Sequence, residues 1–133
     1  MAEIAKTGIP SLASQTPPAN NKVTGLLAGE DIAAGDACRI DPVAGRVFRS
    51  SGAAAGANAK VRGYAQIAAK SGEAVSLYFG ITMRYGAGLA PGADVFLSGT
   101  VPGGLADAAS IGGTAPIGFV VDATRIHLGR SNY

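Results

Sequence analysis

Tryptophan is absent from this 133-residue chain, and four Phe and four Tyr bring the aromatic share to only 6%. Nucleic-acid platforms need aromatics interleaved with basic residues on one sheet face, and no such face is written here. Sugar sites also favour exposed aromatics, so the missing Trp counts against them. Cys38 is the single cysteine, which excludes an intrachain disulfide. His127 is the single histidine. One His and one Cys make a zinc site only if carboxylates take most positions. No apolar run approaches the roughly 18 residues of a membrane span. The opening MAEIAKTGIP lacks the basic and long apolar regions of a secretory signal, so the expectation is a soluble chain made in a cytosol.

Small residues are abundant, with Gly alone at 20. Each buries little area at about 25 cal/mol per Å² of apolar surface, so one copy should be modestly stable and gain from association. The net charge of +2 is too weak to imply nucleic acid. Between residues 37 and 63, however, Arg39, Arg46, Arg49, Lys60 and Arg62 outnumber Asp41. That stretch reads either as a scattered solvated face or as a patch meeting an acidic protein surface.

Residues 1 to 24 differ from the rest. Pro10, Pro17 and Pro18 break any helix and remove backbone donors, and Asn20 with Asn21 favours turns. The segment reads either as an extended N-terminal arm with Ile4, Ile9 and Leu12 as isolated apolar anchors or as a terminus that is simply disordered in the free protein. From Gly25 onward, Gly, Pro and Asp punctuate strand-sized runs. Val75 to Phe79 alternates, as does Thr124 to Leu128 with Ile126 and Leu128 inward; Tyr64 to Ile67, Val95 to Leu97 and Ile117 to Val121 are further short strands. Leu105 to Ser110 suggests one helical turn, and Gly52 to Ala59 a small-residue loop. The predicted class is all-β, with one domain over residues 25–133 following the arm.

The chain also repeats a phrase. IAAGDACRI aligns with LAPGADVFL, placing Gly35 on Gly92, Cys38 on Val95 and Ile40 on Leu97. Downstream, Arg62-Gly-Tyr-Ala matches Ile117-Gly-Phe-Val, and Leu77-Tyr-Phe-Gly matches Ile126-His-Leu-Gly. The offset shrinks because the first half carries a longer tip, Ala69-Lys-Ser-Gly-Glu. Two pseudo-symmetric halves that pair their edges would form a small barrel.

Reactive groups do not cluster. No G-x-S-x-G surrounds a serine, and no G-x-x-x-x-G-K-[ST] cradles a phosphate. His127 has outward parity and reads as a surface histidine. Cys38 shares inward parity with Ile40 and reads as a buried filler. Asp31, Asp36 and Asp41 recur as turn formers rather than calcium ligands. The expectation is therefore no catalytic residue, no metal and no cofactor. Lys70, at a tip between similar halves, is placed like the modified lysine of lipoyl or biotinyl carriers, but Ala69 and Ser71 flank it where the carriers have Asp or Met.

The phrases Ile32 to Asp36, Val61 to Ala65, Ala68 to Leu77 and Pro116 to Val120, in this order and spacing, resemble tailed-phage capsid decoration (cement) proteins over about residues 25 to 130. No single residue marks the family, so no functional site carries over. The resemblance implies a small β-barrel or β-tulip domain on the outer surface of the capsid, forming a homotrimer at threefold or quasi-threefold positions. It also implies that neighbouring major capsid protein subunits are bridged, with an N-terminal arm ordering on the shell. The expected contacts are Ile4, Ile9, Pro10, Leu12, Pro17, Pro18, Arg46 and Arg49, with no nucleic acid and no membrane as partner. The other readings are a β-rich tail or fibre component, a sugar-binding barrel, or a carrier modified on Lys70.

Overall fold

The computed structural model describes residues 3–12 and 21–131. Twelve strands follow one another: β1 (Glu3–Ile4), β2 (Ser11–Leu12), β3 (Lys22–Leu27), β4 (Ala37–Ile40), β5 (Val47–Arg49), β6 (Gly63–Ala65), β7 (Ala74–Tyr78), β8 (Ile81–Arg84), β9 (Asp94–Leu97), β10 (Leu105–Ala106), β11 (Gly118–Val120) and β12 (Arg125–Leu128). A 3-10 turn at Ala57–Ala59 lies within the small-residue loop. The protein is all-β.

The strands form two antiparallel sheets. One has five strands in the order β3-β7-β6-β4-β5, and the other seven in the order β1-β10-β9-β11-β12-β8-β2. Neither is closed by a continuous ladder. In the smaller sheet, one parallel bridge between Ala28 and Val47 joins the two edge strands. The order β8-β12-β11-β9-β10 inside the larger sheet repeats that of the smaller one strand for strand. In both, the first strand lies beside the fifth, the fifth beside the fourth, the fourth beside the second, and the second beside the third.

Period-two alternation sets what faces inward. Val75 and Leu77 of β7 are buried with Ile32, Cys38, Val47 and Ala65 on one side of the smaller sheet. Ile126 and Leu128 of β12 join Ile81, Met83, Val95, Leu97 and Leu105 in a larger core. Tyr64 of β6 and Ala37 of β4, from the smaller sheet, also enter that larger core and so tie the two sheets together. The Tyr64 hydroxyl donates to the Gly129 carbonyl at 2.9 Å, which satisfies its polar end.

Several boundaries differ from the sequence reading. The Tyr64 to Ile67 run stops at Ala65, and Ile67 is 68% exposed. The one-turn helix expected at Leu105 to Ser110 is replaced by strand β10. Leu105 and Ala106 are fully buried and paired on both sides, by β9 and by β1. A lone helical turn has a costly nucleus and no core to bury against, so the two-sided ladder wins.

Residues 3–12, part of the segment expected to be an extended arm, pair with the body. β1 adds to β10 at one edge of the seven-stranded sheet, and β2 adds to β8 at the other. Between them the Thr7 amide donates to the Tyr85 carbonyl at 2.9 Å. The segment thus straps the larger sheet from edge to edge, leaving neither β8 nor β10 as an open edge.

Candidate functional site

Each half of the strap is fixed by chemistry rather than by apolar area alone. The Glu3 carboxylate takes the hydroxyls of Ser98 and Thr100, next to the β9–β10 connection. The Lys6 ammonium lies 2.5 Å from Oδ1 of Asp36, a buried carboxylate whose Oδ2 accepts the Ala33 amide at 2.8 Å. Pro10 is buried over Gly35, where a Cβ would sit only 2.7 Å from the proline Cγ. Gly35 also has φ of +83°, so both space and backbone demand glycine there.

The expected contact residues therefore separate into groups. Ile4 packs against the larger core and Pro10 is buried, so both face their own protein. Ile9 is 83% exposed. Leu12 contributes its backbone to β2. Pro17 and Pro18 lie outside the described residues. Arg49 pairs with Glu30 through a 3.2 Å contact, and the Glu30 carboxylate also accepts the Arg49 amide at 2.8 Å. That carboxylate hydrogen bond holds the guanidinium above its ordinary pKa. Arg46 is exposed and forms no ion pair among the described residues.

Arg46 closes the β4–β5 hairpin, whose turn is braced by one side chain. Asp41 Oδ2 accepts the amides of Val43 and Ala44, and its backbone carbonyl accepts the Gly45 amide. The Asp41 amide donates to the Arg46 carbonyl at 2.9 Å. The Ala44 amide, above all, holds the Asp41 carboxyl below its ordinary pKa, aided by Arg39. Arg39 pairs with Asp41 and lies over the Phe48 ring, 5.2 Å from its centroid. At the apex, Val43 is 94% exposed. Composition and periodicity do not single out Val43. The readable signal is an apolar residue inside the turn phrase DPVAG, where polar residues are the norm.

Groups capable of bond chemistry are dispersed. Cys38 is buried, and desolvation, reinforced by Asp36 and Glu30, pushes its thiol far above the ordinary pKa. Burial likewise raises the Tyr85 hydroxyl. His127 lies on the outer face of β12, 3.1 Å from the Thr82 hydroxyl and against the Phe119 ring. Among the described residues no three of His, Cys, Asp and Glu converge as metal ligands. No helix there is long and apolar enough to cross a membrane.

Two concavities lie near the turn that leads into β4. One of about 470 Å³ is bordered by Asp31, Arg49, Lys70 and Glu73. Its charges serve local structure: Asp31 accepts the Ser71 amide, Glu73 accepts the Lys70 amide, and Arg49 holds Glu30. The other, of about 450 Å³, is apolar and lies between Ile9 and Pro10 on one side and Ala33, Ala34 and Ile67 on the other. Neither sets a nucleophile beside a base and an orienting group.

No protein-family model, no curated protein and no solved structure matches the chain.

Proposed function

We propose that this protein is a structural subunit of a tailed-phage virion that docks on the outside of the capsid and bridges neighbouring major capsid protein subunits. The observation that carries the reading is the placement of the four family-like phrases. Ile32 to Asp36 leads into β4, Val61 to Ala65 holds β6, Ala68 to Leu77 holds the turn and most of β7, and Pro116 to Val120 ends in β11. Two of them, Val61 to Ala65 and Pro116 to Val120, hold the fourth strand of the repeated order in the two sheets, as a duplicated scaffold requires. The finer architecture proposed is a small barrel of two pseudo-symmetric halves. The repeated strand order and the Ala28–Val47 bridge support it.

On this reading the chain performs no bond-making and works through contact area. A protein that binds the assembled shell but not free subunits stabilises the shell by mass action. A homotrimer at threefold or quasi-threefold positions would multiply weak contacts into avidity. Among the described residues, exposed Ile9, on the docked part of the N-terminal segment, and exposed Arg46 are expected contacts available to meet such a surface.

The test is co-sedimentation of the purified protein with tailed-phage heads assembled without it. Saturable binding at a fixed ratio to capsid subunits, with a higher melting temperature of the shell, is expected. Absence of binding at micromolar concentration removes the capsid reading. Intact mass measurement addresses the carrier alternative, since a carrier domain would show an adduct on Lys70.

A further inference from the structure

We infer that the tip of the β4–β5 hairpin is a preformed docking knob, with Val43 inserting into an apolar pocket rimmed by carboxylates on the capsid surface. The inference rests on the capsid reading and names the part of this chain that meets the shell.

The first observation is the conflict between rigidity and exposure. Four hydrogen bonds around Asp41 and the ring of Pro42 hold the turn, and Gly45 takes φ of +68° at its close. A turn that only had to reverse the chain could place any polar residue at its apex. This one holds a β-branched apolar side chain at 94% exposure, the highest among the large hydrophobics of the described residues. Val has little rotamer freedom to lose, and the turn is already ordered, so insertion costs little entropy.

The second observation is the matching hairpin of the larger sheet, β9–β10. Its turn also carries a valine, Val101, but that turn is engaged inside the molecule. The Gly103 carbonyl accepts the Ala37 amide, and the Gly103 amide donates to the Ser50 carbonyl. Glu3 of the strap caps Thr100, and Val101 is 48% exposed. One hairpin of the pair thus docks against its own chain, while the β4–β5 tip has no such receptor among the described residues.

The third observation is charge. Cys38 pairs with Gly63 and accepts the Arg62 amide, which sets Arg62 beside Arg39 along the same edge of the hairpin. Arg46 and Arg62 are exposed and form no ion pair among the described residues, and Asp41 is engaged by Arg39 and the turn amides. An apolar apex on a hairpin that carries exposed arginines fits an apolar pocket rimmed by opposite charge, with the arginines steering encounter and the valine slowing release.

The experiment compares wild type with Val43→Asp, Arg46→Glu/Arg62→Glu and Asp41→Ala in binding to heads assembled without this protein. Circular dichroism melts serve as the folding control. Val43→Asp is expected to weaken binding at least about tenfold while leaving the melt unchanged, because Val43 is 94% exposed. The double arginine variant is expected to weaken binding and flatten its salt dependence. Asp41→Ala is expected to fall between, since it frees the turn but keeps the valine. Wild type that binds heads as tightly as Val43→Asp overturns the knob while the capsid function stands. Wild type that does not bind heads overturns both. Head binding that is unchanged alongside tip-dependent self-association in sedimentation velocity overturns the capsid pocket in favour of an interface between copies.

Discussion

Lys6 and Asp36 form a 2.5 Å ion pair across the boundary between the N-terminal strap and the turn that leads into β4. Asp36 is 5% exposed, so Lys6 is the counter-charge for a carboxylate otherwise surrounded by backbone and core. The pair links the first residues of the chain to the smaller sheet, while β1 and β2 link them to the larger one. The strap therefore joins both sheets, and the Lys6–Asp36 ion pair is its charged contact with the smaller one.

Removing that counter-charge should be costly. Breaking a fully buried pair typically costs about 3–5 kcal/mol. The Lys6 side chain is 26% exposed, so Lys6→Met is expected to lower unfolding free energy by a smaller amount, about 2 kcal/mol. Adding Asp36→Asn should restore part of the loss, because the amide oxygen can still accept from Ala33 without leaving a bare charge. Urea unfolding measures both variants. An unchanged midpoint for Lys6→Met would mean that water already replaces the ammonium.

Gly63 of β6 and Gly118 of β11 occupy matching positions, and each is crossed closely by a neighbouring strand. A Cβ on Gly63 would meet the Leu77 Cβ at 2.7 Å and the Tyr78 carbonyl at 3.1 Å. On Gly118 it would strike the His127 carbonyl. Those neighbours are backbone or buried side chain and cannot give way. Alanine at either position is expected to cost about 2–3 kcal/mol by overpacking. Gly72 is the control: its φ of +89° disfavours alanine, but nothing lies within 4 Å, so about 1–2 kcal/mol is expected. Thermal melts that rank Gly72→Ala as the most damaging of the three would refute this assignment of cause.

How much of this was legible depends on where the determining contacts lie. Alternation fixed the inward residues of β7 and β12, because a half-buried strand imposes period two on its own residues. Cys38 is buried as expected, but the parity argument failed for β4: Ile40, expected inward with it, is 37% exposed, and Ala37 of the opposite parity is fully buried. The strap was not legible. Ile4, Lys6 and Pro10 are spaced without period, and their partners lie far along the chain: Lys6 meets Asp36, and Pro10 lies over Gly35. Strand β10 was misread because its two small or apolar residues are shaped by β1 and β9 and not by their own neighbours. Arg49 looked like a free cation because Glu30, its partner, is set by the fold rather than by local sequence spacing. The knob at Val43 was hidden for the opposite reason. Its turn is local and readable, but whether a turn docks or stands free is a tertiary fact.

Cys38 offers a direct readout of the smaller core. It is fully buried, its thiol donates toward the Asp36 carbonyl at 3.3 Å, and burial keeps it protonated at neutral and mildly alkaline pH. The thiolate is the reactive species, so a thiol reagent at pH 8 should not label the native protein, and one equivalent should react in denaturant. The slow native rate should track opening of the β3–β7 sheet and rise with urea. Rapid labelling without denaturant would show that this core is open to solvent.

Asp122 gives the prediction with the clearest sign. The Thr124 amide first, then the Arg125 guanidinium at 2.7 Å and the Arg125 amide, favour the charged carboxylate and lower its pKa to about 2. An unfolded carboxylate of this type titrates near 4. The folded pKa is therefore depressed, and the contribution of Asp122 to the turn entering β12 is complete above about pH 4. It declines as the pH falls from there through about 2. The side chain is solvent-exposed, so the effect should be local: carboxyl titration by NMR is expected to give a midpoint near 2, with the amide signals of Thr124 and Arg125 moving on the same curve. Asp122→Asn keeps an acceptor for those amides but loses the attraction for Arg125, so their amide shifts should become insensitive to pH across this range. A wild-type midpoint near 4 would mean that the three donors do not hold the carboxylate in solution, and that the β11–β12 turn is set by the ladder alone.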